Sequence, residues 1–243
     1  MRKITINLAA VAAFCIVVAS PALVSSSCAT PQTEQEDTTI IREDLGITAL
    51  KYSSPEVPSS IEFCGKVIDL SRFDRHERMD RELLAFTYMH STSLQMLKKA
   101  NRYFPIVEPI LKENGIPDDF KYLMVIESNM NPTARSSAGA AGLWQFMQGT
   151  GRDYGLEVNN NVDERYHIEK ATRAACRYLK DAYAKYKDWV AVAASYNAGQ
   201  ARIASQLAKQ DVDDSLDLQL VEETARYVYR ILAALALIHI SEP

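Results

Sequence analysis

The sequence predicts an all-α protein in which one helical domain follows an N-terminal signal and a polar tether. Beyond about Met79, apolar residues recur at helical spacing, and no convincing run of alternating strand residues interrupts them. The 243 residues are 47% hydrophobic, which suffices for one substantial core. We expect residues 1–27 to form the signal, residues 28–78 the tether and N-terminal extension, and residues 79–238 the helical domain.

The first residues have the pattern of a secretory signal. Arg2 and Lys3 precede an uncharged apolar run from Ile4 to Val24, and small residues follow it. The run is close to the ~20 residues that cross a membrane, so a single membrane anchor is the alternative. Pro21 and the serines around it dilute the end of the run, which favours the signal.

Cys28 closes the run of small residues, where a lipoprotein signal places its lipid-modified cysteine. Ser25 departs from that pattern, because leucine is usual there. We favour lipid attachment at Cys28 over ordinary cleavage nearby, and several acyl chains on one cysteine would anchor the protein firmly. The expected location is the cell envelope, on the periplasmic side of a membrane.

Residues 29–60 are polar, and the apolar patches "TTII" and "ITAL" sustain no period. About 30 flexible residues have a root-mean-square reach of roughly 30 Å. We therefore expect a tether that lets a lipid-held domain work some distance from the membrane surface.

Charge and ligand spacing argue against two classes of partner. The net charge of −4 gives no electrostatic support for binding nucleic acid. We expect no metal or other cofactor, because none of the histidines has paired-ligand spacing: His76, His90, His167 and His239. Cys64 and Cys176 could pair in an oxidising compartment, although nothing in their spacing requires it.

The helical domain divides into several predicted helices. The stretch "DRELLAFTYMHSTSLQMLKKANRYF" predicts one long helix that ends before Pro105, and "PIVEPILKENG" a shorter one that ends at Gly115. "PDDFKYLMVIES" begins with good first-turn residues. "IEKATRAACRYLKDAYAKYK" and "LQLVEETARYVYRILAALALI" predict two more long helices. Between them, Trp189–Ala194 is apolar all round, which predicts a buried central helix.

Glu127 completes the apolar stripe of its helix. Positions i, i+3, i+4 and i+7 share one face and are occupied by Phe120, Leu123, Met124 and Glu127. Asn131-Pro132 indicates that the helix has already ended, so Glu127 lies in its last turn. Burial and the negative helix end both raise the pKa of a carboxyl group. Glu127 is therefore a candidate proton donor near neutral pH, the alternative being a surface glutamate at a frayed helix end.

The following segment, residues 128–152, contains no Asp or Glu. Gly139, Gly142 and the small residues between them allow close backbone approach to a ligand or a neighbouring helix. Neither a GxGxxG pattern nor a GK[ST] ending is present, which argues against a phosphate loop. "GLWQFM" adds Trp144 and Met147 as apolar surface and Gln145 as a two-way hydrogen-bonding group.

Three segments in this order, Glu127-Ser128, "AGAAGLWQFM" and "SYNAG", resemble the signature motifs of lytic murein transglycosylases in the goose-lysozyme-like (SLT) superfamily. The segment "GLWQFMQGTGRDYGL" most resembles the membrane-bound type D subgroup. The resemblance covers roughly residues 104–233 and implies a lysozyme-like helical domain. It also implies cleavage of the MurNAc–GlcNAc β-1,4 bond in peptidoglycan strands, with formation of 1,6-anhydromuramyl ends.

The resemblance assigns roles to particular residues of this chain. It implies that Glu127 is the catalytic acid and base. The expected substrate-binding residues are Ser136, Gln145, Met147, Tyr196 and Asn197. Ser195 stands where the family usually has alanine.

The missing acidic neighbour also has a chemical reason within this family. Ordinary glycosidases need two carboxylates. In this family, the resemblance implies, the C6 hydroxyl of the sugar attacks C1, and one residue moves both protons. Two alternatives remain open. One is a hydrolytic muramidase that uses water with Asp153, Asp163 or Glu164, and the other is a catalytically silent glycan-binding wall protein.

Overall fold

Helices dominate the part of the chain that the structure describes. The computed structural model describes residues 55–241, without the side chains of residues 90–92 and 239–241. The predicted signal, Cys28 and most of the predicted tether lie outside these residues. Within them, the all-α class is confirmed, and one two-stranded hairpin precedes eight α-helices.

The elements follow one another along the chain. They are β1 (Ser60–Phe63), β2 (Lys66–Asp69), α1 (Phe73–Tyr88), α2 (His90–Glu113), α3 (Phe120–Ser128), α4 (Gln148–Asp153), α5 (Ile168–Tyr186), α6 (Trp189–Ala198), α7 (Gln200–Lys209) and α8 (Glu222–Ser241). The longest connection, residues 129–147, lies between α3 and α4. Two single 3-10 turns, Glu164–Tyr166 and Ser215–Asp217, precede α5 and α8.

The hairpin was not predicted from the sequence. Its antiparallel strands are four residues each, too short for their alternation to be recognised, and Ile61 faces Ile68 across the ladder. Both turn residues have positive φ, 53° at Cys64 and 79° at Gly65, as a tight two-residue hairpin turn requires. The Cys64 amide donates a hydrogen bond to Asp119, so the hairpin is tied to the start of α3.

The prediction of one helix ending before Pro105 is wrong. The helix breaks at Met89, and α2 then continues through Pro105 and Pro109 to Glu113. Each proline removes a backbone hydrogen bond, but the two are four residues apart and both are exposed. Apolar burial on the opposite face offsets that cost through Tyr103, Phe104, Val107, Ile110 and Leu111. Tertiary packing therefore overrides the local signal.

The predicted central helix is confirmed. Residues 190–195 of α6 are all buried, and α6 packs against α5, α7 and α8. Trp189 at its start stacks on Tyr183 with ring centres 3.9 Å apart and meets Phe120 edge-on at 5.2 Å. The last helix, α8, packs against α1, α3 and α6. It therefore closes the core against the helix that carries Glu127.

Neither cysteine of the described region forms a disulfide. Cys176 is buried in α5, and Cys64 lies partly buried in the hairpin turn. Over residues 55–241, no helix combines the length and apolar character needed to cross a membrane.

Candidate active site

Glu127 lies in the last turn of α3, as predicted. The helix ends because Asn129 and Met130 adopt left-handed conformations with φ of 48° and 52°. The Asn129 amide still bonds to the Val125 carbonyl, which completes the final turn. The side chain of Glu127 is thereby presented, partly buried, at the point where the chain leaves the core.

Glu127 accepts a hydrogen bond from a residue of α8. The hydroxyl of Tyr227, which is 3% exposed, donates to Oε1 of Glu127 at 2.5 Å. Burial raises the pKa of Glu127 from its ordinary 4.5 to about 7, because a low dielectric disfavours the carboxylate. The Tyr227 hydrogen bond acts in the opposite direction and lowers this pKa. Glu127 can therefore both give and take a proton near neutral pH.

Tyr196 lies close to Glu127 at the end of α6. Burial raises the pKa of its phenol well above 10, and the negative charge of Glu127 adds to that rise. Its hydroxyl donates to the Trp144 carbonyl at 2.7 Å. Its ring packs edge-on against Tyr178 at 5.1 Å. Tyr196 therefore ties the end of α6 to the loop that precedes α4, within electrostatic range of Glu127.

Asn197 is exposed and has a different partner. Its Oδ1 accepts a hydrogen bond from the buried Thr224 hydroxyl on α8 at 2.9 Å. The first two turns of α8 thus contact both Asn197 and, through Tyr227, Glu127. The resemblance assigned substrate binding to both Tyr196 and Asn197. In the structure, α8 contacts Asn197 through Thr224 and Glu127 through Tyr227.

A groove of about 310 Å³ lies beside Tyr196. Four of the five predicted substrate-binding residues line it: Gln145, Met147, Tyr196 and Asn197. The amide nitrogen of Gln145 is used within the loop, donating to the Gly142 carbonyl at 2.8 Å. Met147 is 46% exposed and offers apolar surface. Glu127 is not among the residues that line this groove, whereas Tyr196, which lies within electrostatic range of Glu127, does line it.

Ser136, the fifth predicted binding residue, holds its own loop. Its Oγ accepts a hydrogen bond from the Ala140 amide at 3.0 Å. No described contact joins Ser136 to Glu127. The geometry therefore assigns this hydroxyl first to the turn between residues 136 and 140.

The loop before α4 is organised by the buried guanidinium of Arg165. Its Nη1 donates to the carbonyls of Gly139 and Phe146 at 2.8 and 2.9 Å. Asp163 accepts from the opposite edge of the same guanidinium, at 2.9 Å from Nε and 2.7 Å from Nη2. Gly142 has φ of 79°, and a Cβ there would lie 1.9 Å from the Arg165 carbonyl oxygen. The predicted close approach thus occurs at Gly142, against backbone.

The later acids considered as partners for Glu127 are engaged elsewhere. Asp163 binds Arg165, and Glu164 binds Lys170 and accepts from the Glu157 amide. These hydrogen bonds lower the pKa of Asp163 and of Glu164. Asp153 is exposed in the last turn of α4. Within the described region, no hydrogen bond or ion pair connects any of the three to Glu127.

Sequence reasoning missed Tyr227 and Thr224. Both are buried residues of α8, which was predicted only as a long helix. The available signal was a tyrosine and a threonine on an apolar face, because buried polar groups require partners.

As for metals, no group of three or more His, Cys, Asp or Glu side chains in residues 55–241 is placed to hold an ion.

Comparison with known proteins finds a family whose model matches this part of the chain. A family model described as Transglycosylase SLT domain matches residues 105–217. Membrane-bound lytic murein transglycosylase D of Escherichia coli (strain K12) is 31% identical over 162 residues, 65% of this chain and 35% of that protein. Membrane-bound lytic murein transglycosylase C of Haemophilus ducreyi is 29% identical over 150 residues, 56% of this chain and 40% of that protein. The chain therefore spans about a third of the first relative.

A solved structure is also similar to this chain. Lytic transglycosylase Slt of Pseudomonas aeruginosa superposes with a TM-score of 0.48 at 22% identity, over 56% of this chain and 24% of that one.

The family match includes Glu127, the loop held by Arg165, and the pair Tyr196-Asn197, whereas α1 and α8 lie outside it. The predicted lysozyme-like helical class is confirmed by this match. Residues 105–217 match the Transglycosylase SLT domain family model, and this stretch contains the candidate site residues Glu127, Tyr196 and Asn197.

Proposed function

We propose that this protein is a peptidoglycan lytic transglycosylase, a lyase that cleaves the MurNAc–GlcNAc β-1,4 bond and leaves 1,6-anhydromuramyl ends. The observation that carries the proposal is Glu127, a carboxyl group with a pKa raised to about 7 and held by a buried tyrosine. No second carboxylate in the described region is bound to it. One residue that both donates and accepts a proton suits a reaction that activates no water.

In the proposed reaction, protonated Glu127 donates its proton to the glycosidic oxygen as the bond from that oxygen to C1 breaks. The carboxylate then takes the proton of the C6 hydroxyl of the same MurNAc, and O6 bonds to C1. The 2-acetamido group assists at C1 between the two steps. The Tyr227 hydrogen bond stabilises the carboxylate formed in the first step. The intramolecular attack has a large proximity advantage, and Glu127 ends in its starting state.

The proposed partner is the peptidoglycan glycan strand. The groove beside Tyr196 combines the amide of Gln145, the apolar surface of Met147 and the exposed amide of Asn197. Sugar-binding sites use this mixture, because sugars have both hydroxyl groups and apolar faces. We assign substrate binding to these residues, and a supporting place in the loop to Ser136.

The proposed role is remodelling or turnover of the cell wall from the periplasmic side of a membrane. Two relatives carry the words "membrane-bound" in their names, which supports a place at the cell envelope. Lipid attachment at Cys28 is the proposed means of anchoring.

The test of the reaction is the chemistry of its products. Purified peptidoglycan is digested with the protein, and the soluble muropeptides are analysed by mass spectrometry. Anhydromuramyl ends are expected. Reducing ends would instead identify a hydrolytic muramidase, and the absence of any release would identify a silent binding protein. The engagement of Asp163 and Glu164 by cations weighs against the hydrolase.

A further inference from the structure

A buried carboxylate, Glu82 of α1, binds two arginines of α8. Its side chain is 2% exposed, and its oxygens lie 2.7 Å from Nε and 3.2 Å from Nη2 of Arg226. Arg230, one turn further along α8, lies 3.7 Å away, and Arg81 of α1 lies 3.2 Å away. Three guanidinium groups therefore surround one carboxylate between α1 and α8.

This arrangement differs from an ordinary surface ion pair. Arg226 and Arg230 are like charges at i and i+4, which repel each other unless an anion lies between them. Glu223 also binds Arg230, at 2.9 Å, but the Glu223 side chain is 63% exposed, so that pair contributes little. Removing the buried Glu82 charge would leave two cations without their buried partner, which is costly. Glu82 therefore constrains the orientation of α8 more strongly than Glu223 does.

The orientation of α8 bears directly on the candidate active site. Arg226 immediately precedes Tyr227, and consecutive residues of a helix point about 100° apart. Fixing Arg226 against α1 therefore fixes the direction in which Tyr227 leaves α8, towards Glu127 on α3. Thr224 makes a third link from the same turns, to Asn197.

From this geometry we infer that Glu82 is a positioning residue, which holds α8 at the rotation that brings the Tyr227 hydroxyl onto Glu127. As a statement about catalysis, the inference rests on the proposed function. The groups that face Glu82 are Arg81, Arg226 and Arg230, and those that face Glu127 are Tyr227 and Tyr196. Glu82 on α1 and Tyr227 on α8 both lie outside the family match. In this inference, two helices outside the match therefore position a residue inside it, Glu127.

The test compares Glu82→Gln with Glu223→Gln, a matched control that removes an exposed carboxylate bound to the same Arg230. The first readout is the pKa of Glu127, measured by carbon-13 NMR titration of the glutamate carboxyl groups, with Glu127→Gln identifying the signal. Loss of the Tyr227 hydrogen bond should raise that pKa by up to about one pH unit in Glu82→Gln. The control should leave it unchanged. A purely electrostatic effect has the opposite sign, because one negative charge fewer favours ionisation of Glu127.

The second readout is the rate of anhydromuropeptide release. In Glu82→Gln we expect kcat to fall roughly 3- to 10-fold with little change in KM, since the loss concerns the proton-transferring group and not the groove. The double variant Glu82→Gln/Tyr227→Phe should match Tyr227→Phe alone in both readouts, because the two residues act through one hydrogen bond. Glu82→Asp keeps the charge and should show a smaller rise in the pKa of Glu127, which provides a test if Glu82→Gln does not fold.

An unchanged or lowered Glu127 pKa in Glu82→Gln would overturn the inference, as would additive effects in the double variant. For Glu82→Asp, an unchanged pKa would count against it equally. The NMR titration needs no turnover. A wild-type protein that shows the expected titrations yet releases no anhydromuropeptides would therefore refute the proposed function while leaving the positioning of Tyr227 by Glu82 intact.

Discussion

The hydroxyl of Tyr227 on α8 donates a hydrogen bond to Glu127 on α3, at 2.5 Å and across 100 positions of the chain. The carboxyl group is shifted towards its neutral form by burial, while this bond favours the carboxylate. The balance places the pKa near 7, where both protonation states are accessible during a catalytic cycle.

Removing that bond should change the pH dependence of the reaction. In Tyr227→Phe the pKa of Glu127 should rise, because the group that lowers it is gone. In the proposed reaction Glu127 starts protonated, so the alkaline limb of the kcat profile should move to higher pH. We expect kcat at its optimum to fall roughly 10-fold and stability to fall by about 1 kcal/mol. An alkaline limb that stays in place would show that this bond does not set the working pKa.

Glu127→Gln should abolish release of anhydromuropeptides while leaving the protein at least as stable as wild type. The folded-state pKa of about 7 lies above the ordinary 4.5. The contribution of neutral Glu127 to stability is therefore complete below about pH 4.5 and is lost as the pH rises through 7. The variant lacks this dependence, so its advantage in stability over wild type should grow between these pH values and be complete above pH 7, with an upper bound of roughly 3–4 kcal/mol. Thermal melts at pH 4 and pH 8 measure it, and equal differences at both would contradict the assigned pKa.

The loop before α4 should tolerate no side chain at Gly142. A Cβ there would lie 1.9 Å from the Arg165 carbonyl oxygen, and φ is 79°. Gly142→Ala should therefore cost roughly 2–4 kcal/mol of stability. Gly139 is the matched control, because its φ is 89° but a Cβ there would meet no atom within 4 Å. Gly139→Ala should cost about 1 kcal/mol, for backbone strain alone. Urea melts of the two variants measure the difference, and equal losses would disprove the clash.

Much of the helical framework could be predicted, because long periodic segments such as α5 and α6 have buried faces that the pattern marks directly. Glu127 could be predicted for the same reason, since it completes an apolar stripe. The hairpin could not, because four-residue strands carry too little alternation. The course of α2 through Pro105 depends on apolar packing from other helices, which no local signal contains.

The partners of the candidate site residues were less predictable still. The bonds from Tyr227 to Glu127 and from Thr224 to Asn197 join residues far apart in the chain. Arg165 fixes the loop by donating to two backbone carbonyl groups. Every residue has such a group, so the sequence gives no sign of which ones Arg165 binds. A sequence pattern can identify a buried polar group and cannot say which distant group satisfies it.

Lipid attachment should depend on Cys28. Metabolic labelling with a fatty-acid analogue should tag the wild-type protein, and Cys28→Ser should not be labelled, because the thiol that accepts the lipid is absent. Cys64→Ser is the matched control and should be labelled like wild type. Equal labelling of wild type and Cys28→Ser would place the lipid elsewhere or show that none is attached.

Tyr196→Phe tests whether the second tyrosine near Glu127 acts in the reaction or in the loop. If the Tyr196 hydroxyl bound the substrate in the transition state, its removal would cost turnover 10- to 100-fold, the order that follows when roughly 1.4–2.7 kcal/mol of stabilisation is lost. The structure directs the Tyr196 hydroxyl to the Trp144 carbonyl, at 2.7 Å, and not to the carboxyl group. We therefore expect a smaller effect on kcat than in Tyr227→Phe, with little movement of the alkaline limb. The stability loss should be about 1 kcal/mol, from one hydrogen bond. Anhydromuropeptide release rates and melting curves of the two variants, measured side by side, decide the matter. A larger kcat loss in Tyr196→Phe than in Tyr227→Phe would show that the Tyr196 hydroxyl acts on substrate directly.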